Sequence, residues 1–125
     1  MKILADIEPW QTFRILVFCH DESPRIEDIT YYLLKYYRNC HVDFVGTNDI
    51  INNTTDSMEI LNSIENDRYS YFYITTDNKD TRKEIRNSIK NSCGKAIHIQ
   101  LYSKLVNLVN IISMRKWGNI KWIIL

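Results

Sequence analysis

The sequence predicts a mixed α and β domain on a split βαβ plan, β-α-β-β-α-β, in which antiparallel strands carry two helices on one face. Three observations predict it. Short runs rich in β-formers recur along the chain, at 12–19, 41–45, 69–76, 95–102 and 120–125. Two stretches have apolar residues at helical spacing, one after the first strand and one before the last. Between the two middle strand runs lies a polar, basic segment, about 77–94, with few apolar anchors, which reads as the tip of a long inserted hairpin.

The elements follow in order. Thr12–Cys19 is a compact apolar run and makes the first strand. Ser23 offers a helix N-cap with Pro24 at the first helical position. Ile26, Ile29, Leu33, Tyr36 and Tyr37 then keep helical spacing to about Arg38. His41–Val45 alternates as a half-buried strand does. Residues 47–68 are Asn-rich and acidic; Met58, Leu61 and Ile64 support about two helical turns inside what reads as an insertion covering the sheet. Tyr71, Tyr73 and Thr75 alternate with Phe72 and Ile74. Residues 80–92 have only Ile85 and Ile89 as apolar anchors; a polar helix fits them, but little would hold it onto a core. Lys95–Tyr102 returns as a strand. Leu105, Leu108, Val109, Ile112 and Met114 give the second amphipathic helix, Gly118 fits its C-cap, and Ile120–Leu125 closes the sheet.

Bulk properties narrow the classes. A chain of 125 residues with 45% hydrophobic content forms one domain, 1–125, with a modest core. Three cysteines without a CxxC pair argue against a disulfide framework or a zinc site and fit a reducing compartment. No apolar run reaches membrane-spanning length, and the first residues have neither a secretory nor a transit character. Twelve Asn and eight Tyr point to an AT-rich gene.

Charge is sorted along the chain. Residues 1–77 hold 6 Lys and Arg against 13 Asp and Glu, a net of −7, whereas residues 78–125 hold 10 against 2, a net of +8. One half is therefore suited to a polyanion and the other to solvent or a basic neighbour. In the basic half Lys79, Arg82, Lys83, Arg86, Lys90, Lys95 and Lys104 are the candidate phosphate-neutralising residues, and Asn78 and Tyr102 can reach sugars or bases.

Catalytic and metal signals are weak. Cys19-x5-Arg25 at the end of the first strand is similar to the phosphate loop of low-molecular-weight tyrosine phosphatases. However, Asp21 and Glu22 would repel a phosphate, no glycine shapes the loop, and Pro24 offers no amide. Asp21–Glu22 resembles the acidic pair of a response-regulator receiver, with Asp77 as the one candidate phospho-acceptor, but two acids placed favourably on the approach to a helix N-terminus explain the pair better. These two features define the alternative reading, a doubly wound α/β enzyme or receiver-like signalling domain. His20, His41 and His98 share no ligand spacing, and Trp10, Trp117 and Trp122 read as packing anchors. No catalytic set, metal site or cofactor is expected.

Collinear matches carry a family resemblance. Asn78–Lys79–Asp80–Thr81–Arg82 resembles the N-K-D-A-R hairpin tip of the universal small ribosomal subunit protein 10 family, and Phe72–Tyr73–Ile74–Thr75 resembles the strand before it. Ile97–Val109 resembles Y-E-I-R-T-H-K-R-L-V-D-I-V, Gly118–Leu125 the closing G-V-D-V-Q-I-S-L, and Phe13–His20 the first strand. The proline-rich segment before the family's hairpin is replaced by the acidic 47–68, and Tyr102 and Ser103 stand where it has His and Lys. The resemblance implies a ferredoxin-like fold and a structural, non-enzymatic role in the head of the small ribosomal subunit. The implied partners are small-subunit rRNA and adjacent ribosomal proteins, with no membrane and no small-molecule substrate. The setting it implies is a mitochondrial ribosome in the matrix, or else the cytoplasm of an AT-rich bacterium.

Overall fold

The computed structural model describes residues 10–20, 26–107 and 110. The described residues form a four-stranded sheet, every pair of neighbours parallel, in the order β2-β1-β3-β4, with helical crossovers on both faces. The expectation of mixed α and β structure holds. The ferredoxin-like order does not describe this sheet, because every neighbouring pair is parallel and each connection between strands carries a helix.

β1 (Phe13–Cys19) is the reason for two-sided packing. Ile15, Leu16, Val17 and Phe18 are all buried, so side chains on both faces of this strand need cover. Phe13, Ile15 and Val17 pack with Leu33 of the α1 segment (Ile26–Tyr36), with Tyr37 just after it, and with Leu105, in the helical stretch 102–107 that follows β4. Leu16 and Phe18 point the other way, into a cluster with Ile50, Leu61, Ile64, Ile85 and Ile89. β2 (Cys40–Gly46) runs alongside β1 from Phe13↔Cys40 to Cys19↔Gly46. β3 (Tyr71–Ile74) takes the other side, from Ile15↔Tyr71 to Phe18↔Ile74. β4 (Ile99–Leu101) adds beyond it, shorter than the 95–102 run predicts.

The acidic stretch 47–68 is the crossover from β2 to β3 rather than an insertion. It folds as α2 (Thr47–Ile51), a 3-10 turn (Thr55–Ser57) and α3 (Met58–Glu65). Its apolar residues Ile50, Leu61 and Ile64 cover the Leu16–Phe18 face.

The expected hairpin tip at 77–94 is instead α4 (Lys79–Cys93). Asn78 is its N-cap; the side-chain oxygen accepts from the Asp80 and Thr81 amides at 2.9 and 3.3 Å. Asp80 sits in the first turn and Lys90 in the last, both favourable to the helix dipole. Ile85 and Ile89, one turn apart and fully buried, hold the helix to the sheet. Each contributes about 1.5–3 kcal/mol by burial, enough to fix one face of a polar helix.

Gly94 ends α4 in the left-handed region at φ 70°, its amide donating to the Lys90 carbonyl at 2.9 Å. A Cβ built there would meet nothing within 4 Å. Gly94→Ala is therefore expected to cost about 1–2 kcal/mol through backbone conformation alone, measured as a lower urea midpoint with an unchanged slope.

The readings of 1–9, of the Asp21–Arg25 loop, of Gly118 and of a closing strand at 120–125 lie outside the described residues. No helix among the described residues is long and apolar enough to cross a membrane.

Candidate functional site

In open parallel sheets the strand order reverses at one point, and the crevice forms outside the carboxyl ends of the strands there. Here α1 leads from β1 to one neighbour and the later crossover leads to β3, so the switch point lies between β1 and β3. Cys19 and His20 leave β1 at this point, Gly46 and Thr47 leave β2, and Thr75 to Asn78 leave β3.

These residues are tied together. The His20 amide donates to Thr75 Oγ1 at 2.9 Å, and the His20 ring Nδ1 lies 3.2 Å from Thr47 Oγ1. Thr47 is buried beneath the exposed His20, so the imidazole is fixed from one side and open to solvent from the other. The Thr75 amide continues the β1–β3 ladder by donating to the Phe18 carbonyl at 3.0 Å. Asp77 is exposed just before the start of α4, and the Asn78 amide donates to Thr76 Oγ1 at 3.2 Å. His20, Thr47 and Thr75 are 27 to 55 residues apart in sequence, and no spacing rule brings them together. The one signal available was that all three stand at the ends of strand runs.

Cys19, the thiol at this edge, is half-buried at the end of β1. Burial raises its thiol pKa, and its Sγ points back to the Val17 carbonyl at 3.8 Å. A reactive thiol needs the opposite shift. Burial pushes Cys40 up to about 12. Burial, with the nearby Glu65 carboxylate, raises Cys93 as well. No group of three His, Cys, Asp or Glu that could hold a metal ion occurs among the described residues.

A second polar group lies lower on the Leu16–Phe18 face. Asp43 accepts from Arg14 at 2.8 Å and from the Tyr69 hydroxyl at 2.7 Å on one oxygen, and its other oxygen is 3.0 Å from His41 Nε2. Partial burial works to raise the Asp43 pKa. The hydrogen bonds from Tyr69 and Arg14, with the His41 and Arg14 charges, outweigh it and hold the carboxyl below its ordinary value. Burial and the bond to Asp43 raise the Tyr69 phenol. Arg14 also lies 5.2 Å over the Tyr69 ring. The group pins β2, β1 and the loop before β3 together.

The expected RNA-contacting residues divide. Lys79, Lys83, Arg86 and Lys90 are exposed on α4 at spacings of four, three and four, which places them on one ridge about 16 Å long. None of the four is in an ion pair among the described residues. Arg82 turns inward; it is half-buried, and its Nε is buried without a hydrogen-bond partner among the described residues. Asn78 is used as the cap. Lys95 pairs with Asp67 at 3.1 Å. Tyr102 packs on the opposite face, against the Phe13 cluster, and the exposed Lys104 belongs to the same helical stretch. The nine residues thus do not form one surface, and only four of them make a line.

A groove of about 510 Å³ opens at the other end of the sheet, between Thr12 and Phe13, Tyr69 and Ser70, and Lys95 and His98. This groove and the switch point are therefore at opposite ends of the strands. The switch point carries more weight here, because its polar groups converge from three strand ends, whereas the groove mixes apolar walls with the Lys95–Asp67 pair at its rim. Compared with protein-family models, curated proteins and solved structures, the chain matches none, so its function has to be argued from this geometry.

Proposed function

We propose that the chain is a receiver-like signalling domain, a binding module and not a catalyst, that works at the carboxyl edge of its sheet. The observation that carries this reading is the all-parallel order β2-β1-β3-β4. It is the order of the first four strands in the flavodoxin-like arrangement that receiver domains share, with their functional crevice at the β1/β3 switch point. Fold order alone is an analogy. The edge itself supports the reading: His20 is held by Thr47 and Thr75, Asp77 is exposed beside them, and the neighbouring thiol is kept neutral.

A second reading, rRNA binding in a small ribosomal subunit, of mitochondrial type, is favoured by one observation, the four aligned cations of α4. Such a ridge supplies phosphate affinity with little sequence readout.

Amide chemical-shift mapping separates the two. Beryllofluoride with magnesium, a phosphoryl mimic, is expected to shift residues 19–20, 46–47 and 75–78, with Asp77→Asn abolishing the response. Poly(U) RNA is expected to leave α4 unmoved. Shifts confined to Lys79–Lys90 on adding poly(U), with a silent carboxyl edge, would instead establish the RNA reading.

A further inference from the structure

We infer that the face formed by α3 and α4 is a contact between two copies of this chain, related by a two-fold axis that sets each basic α4 ridge on the partner's acidic α3. The inference rests on the charge pattern of this face and is independent of the signalling reading. α3 and α4 lie side by side on the Leu16–Phe18 face of the sheet. The Cys93 thiol of α4 donates to the Leu61 carbonyl of α3 at 3.3 Å. Arg86, Lys90 and Cys93 follow one another at i, i+4 and i+7, so the C-terminal part of the ridge lies on the α3 side of α4, which packs against α2 as well. Across the seam stands Glu65, near enough to raise the Cys93 pKa.

The solvent face of α3 is made by Met58, Glu59, Asn62 and Glu65, all exposed, with Asp56 just before them. Residues 47–68 carry five carboxylates against the single cation Arg68. A positive ridge thus lies beside a helix whose exposed face carries carboxylates. A two-fold axis through the seam exchanges them, so each sign meets its opposite twice; this is the self-complementarity that an isologous contact requires. Met58, the first residue of α3, is 62% exposed between Asp56 and Glu59. It supplies an apolar contact that a second protein surface would cover and a phosphate backbone would not. RNA on the ridge would also lie against Glu65. A second copy turns that carboxylate from a repulsive neighbour into a binding group.

The test is sedimentation equilibrium of the full chain at about 100 µM, where contacts of small area are populated. The wild type is expected to associate to dimers in about 0.03 M salt and to dissociate by about 0.3 M, as screening removes the exposed pairs. Lys83→Glu/Arg86→Glu and Glu59→Lys/Glu65→Lys should each weaken self-association about tenfold or more. All four positions are exposed, and unchanged far-UV circular dichroism would show that both variants fold. Mixed together, the two variants should form a heterodimer, because each reversed surface then faces its opposite. A wild type that stays monomeric in low salt overturns the inference. So does a dimer indifferent to both reversals, or a mixture that fails to pair. A monomeric wild type whose α4 ridge binds poly(U) would assign the ridge to RNA and overturn it too.

Discussion

Replacing Phe18 by Ala is expected to lower the unfolding free energy by about 3–5 kcal/mol, and replacing Ile15 by Ala to lower it by about 2–5 kcal/mol. Both losses are large against the 5–15 kcal/mol typical of a domain this size. Phe18 is fully buried, lies beside Val45 of β2 and Ile74 of β3, and stacks on Phe72 with ring centroids 6.3 Å apart. Truncation would open a cavity walled by three strands and by Ile85 and Ile89 of α4, none of which can collapse without breaking its own packing. Ile15 sits on the opposite face, in the cluster with Leu33, Tyr37 and Leu105. The pair of results therefore reports on architecture as well as stability. In a sheet with helices on one face only, one of these neighbouring sets would face solvent and its truncation would cost little. Phe44, on edge strand β2 and 43% exposed, is the control, expected to cost under about 1 kcal/mol. Urea denaturation of the three variants measures all of this. Equal, small losses at Ile15 and Phe44 would contradict a doubly covered sheet.

That two-sidedness was legible in β1. Four consecutive apolar residues, Ile15 to Phe18, carry no alternation, and such a run belongs to a strand buried on both faces. Where alternation was present, at His41–Val45, it marked an edge strand, and in the observed β2 only Cys40 and Val45 are buried. Strand and helix positions were thus readable from periodicity, but strand direction was not. Direction follows from what lies between strands, and the decisive segment was 78–94. Its polarity and its likeness to a ribosomal hairpin tip favoured two strands and a turn. Its local signals favoured a helix: Asn78 as cap, Asp80 in the first turn, Ile85 and Ile89 a turn apart, and Gly94 at the exit. Two isoleucines suffice for a helix lying flat on a sheet, because α2 and α3 complete the walls around them.

The carboxyl edge was less legible for a different reason. Its groups become neighbours only when three strand ends are aligned, and parallel crossovers put 27 residues between His20 and Thr47 and 55 between His20 and Thr75. The charge sorting was visible at once, and its basic half does include the α4 ridge. The chain order could not say which cations share a surface: Arg82 turns inward, Lys95 closes an ion pair, and Lys104 belongs to another helix.

Asp43→Asn is expected to destabilise the fold by about 1.5–3 kcal/mol at neutral pH, the range for hydrogen bonds to a charged group. Its carboxylate joins three elements through Arg14, Tyr69 and His41. The amide keeps the shape and loses the charge, leaving Arg14 without its counter-ion on a surface one third exposed. The effect has a signed pH dependence. The folded Asp43 pKa is depressed below its unfolded value, about 3.9. Its contribution is therefore fully present above the unfolded value and is lost as pH falls through the folded one. The stability gap between wild type and Asp43→Asn should be constant from neutral pH down to about pH 5 and should close below that. Tyr69→Phe removes one donor to the same oxygen. Combined with Asp43→Asn it should cost less than the sum of the two single changes, since both act through one group. Urea midpoints of the wild type, both singles and the double across that pH range measure the linkage. A gap that persists unchanged into acid would mean that Asp43 acts through packing and that its charge does not hold β1, β2 and the approach to β3 together.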